Sequence, residues 1–141
     1  MKFFTQEWAE EVKKKTEEDT AYLGKAKGLS FKALWVATSC PGGTDRLLDW
    51  DGQDGKVESF EFEEKASPSD LATRPFDREQ YFLRAIASYD TWVKLISKKT
   101  TIMLAASSGA YKVEGDLIKI KPKLVQYQLF YDLCASVPVE Y

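Results

Sequence analysis

An α+β fold in a single domain, residues 1–141, is what the sequence predicts, and three patterns carry the prediction. Phe60 and Phe62 alternate with Glu61 and Glu63, the period-two pattern of a half-buried strand. Phe4, Trp8 and Val12 fall four apart on one helical face, and Leu117, Ile120, Leu124, Tyr127, Tyr131 and Cys134 recur at alternating spacings of three and four. Turn signals at Pro41-Gly42-Gly43 and Asp54-Gly55 divide three consecutive strand-like runs, which reads as an antiparallel meander.

Taken in order, residues 5–23 read as an amphipathic helix capped by Thr5, with Glu7 and Glu10 at its positive end and Gly24 and Gly28 ending it. Phe31–Cys40 is apolar on both parities, as a central strand covered on both sides would be. Arg46–Gly52 and Lys56–Lys65 complete the meander, and the charged parity of the latter marks a sheet edge or a solvated face. Ala66–Glu79, with Pro68 and Pro75, reads as a crossover loop and a candidate lid. Gln80–Ser88 is a fourth strand with Phe82 and Ile86 on one parity, where Arg84 requires an acidic partner, a polar part of a cavity or room to snorkel. Asp90–Lys98 and 101–107 read as helices, and Ala110–Glu114 as a fifth strand. Pro122 predicts a break near Lys121, with the proline in the first turn of the last helix.

Composition narrows the chemistry. A chain of this length buries roughly 68–70% of its unfolded surface, so a sizeable core is expected. Twenty basic residues against 22 acidic ones give no nucleic-acid footprint and argue against constitutive binding to anionic membranes, leaving transient contact open. There is no histidine, which excludes Ser-His-Asp and Cys-His nucleophilic systems and any histidine metal ligand. Two cysteines, Cys40 and Cys134, are too few for a cysteine zinc site or a disulfide framework; they read as reduced and at least partly buried, in a cytoplasmic protein. Met1-Lys2-Phe3-Phe4 leads straight into polar residues without a signal-peptide core, no apolar run approaches the ~20 residues that span a bilayer, and Val-Glu-Tyr at the C-terminus is not a peroxisomal address.

Residues 88–117 are the most specific. Ser-Tyr-Asp-Thr-Trp-Val-Lys-Leu-Ile leads to an apolar helix around Met103 and Leu104, a small-residue turn at Ser107-Ser108-Gly109, and Gly109-Ala110-Tyr111-Lys112-Val113-Glu114-Gly115-Asp116. The segment resembles the C-terminal pattern of the sterol carrier protein type 2 family, where a Trp helix, a Met/Ala-rich helix and a Gly-x-x-Lys-Val-x-Gly-Asp strand follow in this order. Asp54-Gly55-Lys56-Val57 is similar to that family's second turn. Gly109-Ala110 stands where many relatives have Gly-Lys, and Lys98-Lys99-Thr100 where many have an Asp-Pro start to the apolar helix. The lack of a peroxisomal tail points to a prokaryotic stand-alone relative.

The resemblance implies a five-stranded mixed sheet covered by helices, with an apolar tunnel between them and no catalytic residues or cofactor. It makes Trp92, Met103, Leu104, Leu117, Ile120, Leu124, Tyr127 and Tyr131 candidates to line or gate the tunnel, and Trp35, Phe60, Phe82 and Ile86 candidates from the sheet. Ordinary core packing is the alternative for each. The implied function is non-enzymatic binding and transfer of a fatty acid, acyl-CoA, sterol-like or isoprenoid lipid, without stable membrane insertion. Lys94, Lys98, Lys99, Lys119, Lys121 and Lys123 form either a basic mouth or a solvated helix face. Two other classes compete. A docking module, dimeric or bound to a partner enzyme, would show Tyr127, Phe130 and Tyr131 exposed on one face. An enzyme would need a reactive Cys40 with a lysine or carboxylate as base.

Overall fold

The computed structural model describes residues 1–141 except for the side chain of Leu117. Five strands, β1 (Phe31–Cys40), β2 (Thr44–Gln53), β3 (Lys56–Ala66), β4 (Leu83–Ser88) and β5 (Tyr111–Glu114), form one sheet in the order β3-β2-β1-β4-β5. The meander pairs antiparallel, β4 returns parallel to β1, and β5 closes the far edge antiparallel, so the sheet is mixed. The doubly apolar run thus occupies the centre, and the strand carrying Glu61, Glu63 and Glu64 occupies an edge.

Helices cover one face of the sheet: α1 (Gln6–Glu18), α2 (Thr20–Ala26), α3 (Tyr89–Ile96), α4 (Ile102–Ser107), α5 (Leu117–Ile120) and, after a 3₁₀ turn at Lys121–Lys123, α6 (Leu124–Ala135). Thr5 caps α1 by accepting from the N–H of Trp8. The single N-terminal helix expected over 5–23 is in fact two. Asp19 takes an extended conformation and its carboxylate accepts from the N–H of Tyr22, starting a new helix where the old one stops. Gly24 lies inside α2. The turn at Asp54-Gly55 packs directly on the end of this helix. Gly55 has φ +86°, and a Cβ there would sit 2.8 Å from that of Ala26, so only glycine fits.

The other face is covered by chain without helix or strand. Leu71 is fully buried against Leu34, Val36 and Leu47. Asp45 accepts hydrogen bonds from the N–H of Ser39 and from both N–H and hydroxyl of Ser69, and Arg74 forms a two-pronged ion pair with Glu63. The crossover segment expected as a lid is therefore a fastened cover on the face away from the helices.

Strand β4 starts three residues later than the sequence suggested. Asp77 accepts from the N–H groups of Glu79 and Gln80, and its carbonyl from that of Tyr81, holding those residues in a turn. The bend separates two residues expected on one parity: Phe82 packs with the helix-side core and Ile86 with the opposite cluster. Arg84, 4% exposed on that opposite side, pairs with Glu114 at 2.6 Å, donates to the carbonyl of Arg74 and lies over the ring of Phe76. Pro122 falls in the 3₁₀ turn between α5 and α6, ahead of the last helix instead of inside its first turn.

Candidate functional site

The candidate residues converge on the helix-covered face of β1, β4 and β5. Ser88 caps α3, which sets Trp92 one turn in and aims it at the sheet. The three-and-four spacing of α6 turns Tyr127, Phe130 and Tyr131 toward the same point. Trp35, from the middle of β1, stacks on Trp92 with ring centroids 5.0 Å apart and lies 4.8 Å from the ring of Tyr131. Its indole N–H donates to the Tyr127 hydroxyl at 2.7 Å, Trp92 donates to the carbonyl of Val36 at 2.9 Å, and the hydroxyls of Tyr111 and Tyr131 bond to each other. Burial holds all three tyrosines far above the ordinary phenol range, so they are neutral hydrogen-bonding groups. These rings occupy the space between sheet and α6 where the resemblance implied a tunnel.

Around this aromatic centre the surface is indented. A cavity of about 210 Å³ opens between α3, α4 and α6, walled by Leu95, Thr101, Ile102 and Gln128 with Tyr131 at its inner side. At the other end of α6, a pocket of about 330 Å³ is bordered by Phe31, Lys32, Tyr81, Phe82 and Lys119. The motif strand ends at Glu114, and Gly115 follows it with φ +154°. A Cβ there would meet the side chain of Ile120 and the carbonyl of Phe82 at 2.8 Å. The glycine lets α5 fold back so that Ile120 seals the core, 4% exposed.

The predicted residues fall into three groups. Trp35, Trp92, Ile120, Tyr127 and Tyr131 meet in the core, with Phe60 and Phe82 half-buried at its border. Met103, Leu104 and Leu124 lie on its outer rim, 78%, 64% and 49% exposed. Ile86 packs on the other face, and the side chain of Leu117 lies outside the described residues. The sequence reading missed Tyr111, which holds Tyr131, and Val113, Ile118 and Val125, three further exposed apolar side chains on β5, α5 and α6. The two-residue parity of β5 could have paired Tyr111 with the core. It also missed the indole N–H groups of Trp8 and Trp50, buried without an acceptor among the described residues.

Tyr127, Phe130 and Tyr131, whose exposure would have favoured a docking module, are buried. Both cysteines are free and buried. Burial pushes the Cys40 thiol up to about 11 and Cys134 well above its ordinary value, which keeps both protonated at neutral pH. Among the described residues no helix is long and apolar enough to cross a membrane.

No protein-family model matches the chain, and no match was found among curated proteins. Solved structures do match. A crystal structure of sterol carrier protein 2 superposes with a TM-score of 0.75 at 17% identity, over 97% of this chain and 100% of that one. A conserved hypothetical protein of Thermus thermophilus superposes at 0.74 and 17% identity, over 99% and 92%. A sterol carrier protein domain of Helicoverpa armigera superposes at 0.54 and 16% identity, over 95% and 91%. Strand order, parallel return and helical cover together therefore give this chain the sterol carrier protein 2 fold.

Proposed function

We propose that the chain is a sterol carrier protein type 2 family member that binds a hydrophobic guest, a fatty acid, acyl-CoA, sterol-like or isoprenoid lipid, and carries or presents it in the cytoplasm without chemistry of its own. One observation supports this most: Met103, Leu104, Ile118, Leu124 and Val125 stay exposed on α4 to α6, and a cavity walled by Ile102 of α4 and Gln128 of α6 reaches the aromatic core at Tyr131. A fold needing only a core would have little reason to keep them there.

The guest belongs between α4 and α6, against Trp92, Tyr127 and Tyr131, with Ile120 and Leu124 toward α5 and Met103 and Leu104 on α4, which acts as a flap. Trp35, Phe60 and Phe82 form the sheet side; Ile86 points elsewhere. The 210 Å³ cavity is smaller than usual ligand sites, so binding requires α4 to lift. That helix is weakly held. It buries only Ala105 and lies between two left-handed positions, Lys98 (φ 64°) and Gly109 (φ 84°). Burying about ten methylenes contributes roughly 8 kcal/mol, against association costs of several kcal/mol, so micromolar affinity is within reach without a charged anchor.

Solvent extraction of the purified protein followed by mass spectrometry should yield a bound lipid. Leu104→Glu places a charge on the flap at a residue already 64% exposed; it should leave the fold intact and abolish uptake. Apoprotein alone in native mass spectrometry, with a melting temperature unmoved by fatty acids and isoprenoids, would overturn the reading. Normal uptake by Leu104→Glu would remove α4 from the site.

A further inference from the structure

The stretch Leu117–Tyr131 holds Lys119, Lys121 and Lys123 and no carboxylate, on a chain whose net charge is −2; Asp116 and Asp132 flank it, and Asp116 and Glu79 share an indentation with Ile118 and Lys119. The first half of the stretch folds into the short corner of α5, the 3₁₀ turn and the start of α6. On that corner Ile118 is 85%, Leu124 49% and Val125 81% exposed, and none of the three lysines has an ion-pair partner among the described residues. Ile120, buried over Gly115, fastens the corner from beneath, so its presentation is built into the fold.

From this we infer that residues 118–125 are a docking surface for an anionic lipid bilayer. Apolar side chains flanked by lysines are what an interfacial segment presents: the former enter the acyl boundary while the ammonium groups remain among anionic headgroups. Other occupants fit less well. A second copy across a two-fold axis would bring lysine against lysine. Single-stranded nucleic acid would find no exposed aromatic ring on the corner to stack on. The amphipathic α1 is not available for this task, because its apolar side chains Trp8, Ala9 and Val12 are fully buried. The near-balanced total charge conceals the corner, since the excess of carboxylates lies on the rest of the chain; docking is accordingly reversible and salt-sensitive. The corner shares Ile120 and Leu124 with the proposed guest site, but its assay requires no guest.

The test is co-sedimentation of the full chain with phosphatidylcholine vesicles and with phosphatidylcholine–phosphatidylserine vesicles mixed at about 2:1, at low and high salt. The protein should sediment with the phosphatidylserine vesicles at low salt and release at high salt. Combined Lys119→Glu, Lys121→Glu and Lys123→Glu should cut the partition coefficient by at least about tenfold. Ile118→Ser with Val125→Ser should also weaken it, and near-ultraviolet circular dichroism should show both variants folded. Equal partition to the two vesicle types, or full binding by the charge-reversed variant, would overturn the inference. So would a vesicle-free dimer in sedimentation equilibrium that Ile118→Ser with Val125→Ser abolishes, which would assign the corner to a second copy. Lipid transfer lost with docking intact would count against the guest reading alone.

Discussion

Helices α1 to α3 and helices α4 to α6 cover the same sheet face in opposite manners. The first set leaves no large apolar side chain exposed: Trp8, Val12, Trp92 and Ile96 are buried, and even Thr16 is used, its buried hydroxyl accepting from the N–H of Val57. The second set exposes Met103, Leu104, Ile118, Leu124 and Val125. Apolar content is not the difference, since α6 also supplies Tyr127, Phe130 and Tyr131 to the core. Anchoring is. The short helices α4 and α5 hold the core through Ala105 and Ile120 while Met103, Leu104 and Ile118 stay outside, and the first turn of α6 buries neither Leu124 nor Val125, so their surplus apolar surface is free for other partners. The first set commits its large apolar side chains to the core, while the second divides them between core and surface.

The comparison breaks most sharply at Trp92. Trp92→Ala removes a fully buried ring stacked on Trp35 and leaves the buried carbonyl of Val36 without its indole donor. A loss of about 3–5 kcal/mol is expected in urea unfolding, enough to threaten a domain of ordinary stability. A loss below about 1 kcal/mol would mean that the aromatic centre is loosely packed, and would remove the contrast between the two sets.

Asp45 sets the next-largest effect, because it fastens the cover of the opposite face. Burial alone would raise its carboxyl, but hydrogen bonds from Ser69 and Ser39 outweigh burial and hold it below the usual aspartate value. A carboxylate depressed in the folded state stabilises the protein above its unfolded pKa, and that contribution is lost as pH falls through the folded value. Asp45→Asn should therefore cost about 1.5–3 kcal/mol near pH 7 and progressively less below about pH 4. The same cost at every pH would assign the effect to shape and not to charge.

Much of this architecture can be read in the sequence. The Phe60/Glu61 alternation, the doubly apolar β1 and the Asp54-Gly55 turn each have one physical solution, and the motif around Gly115 is explained by the close approach of Ile120. Three things were not legible. Asp19 split a helix because its carboxylate had a better bond to make than the helix offered. Asp77 bent the chain and put Phe82 and Ile86 on opposite faces, which no periodicity count would show. Burial on α4 to α6 was the third: the stripe from Leu117 to Cys134 reads as uniformly inward, yet Leu124 is exposed while Tyr127 is buried one turn later. Periodicity specifies which residues share a face, and tertiary packing decides how far along the helix that face is covered.

The smallest expected effect tests that last point directly. Met103→Ser with Leu104→Ser removes two large side chains, which in the first set of helices would cost several kcal/mol. On α4 both project into solvent and the helix is anchored by Ala105 and the half-buried Ile102, while Thr101, which caps it by accepting from the N–H of Leu104, is untouched. Thermal melting should place the double variant within about 1 kcal/mol of the parent. A loss of about 3 kcal/mol or more would show that α4 spends its time in solution closed over these side chains, and would move it into the first set. A near-zero change leaves those side chains without a structural task, so that whatever keeps them apolar has to act through something they contact outside the fold.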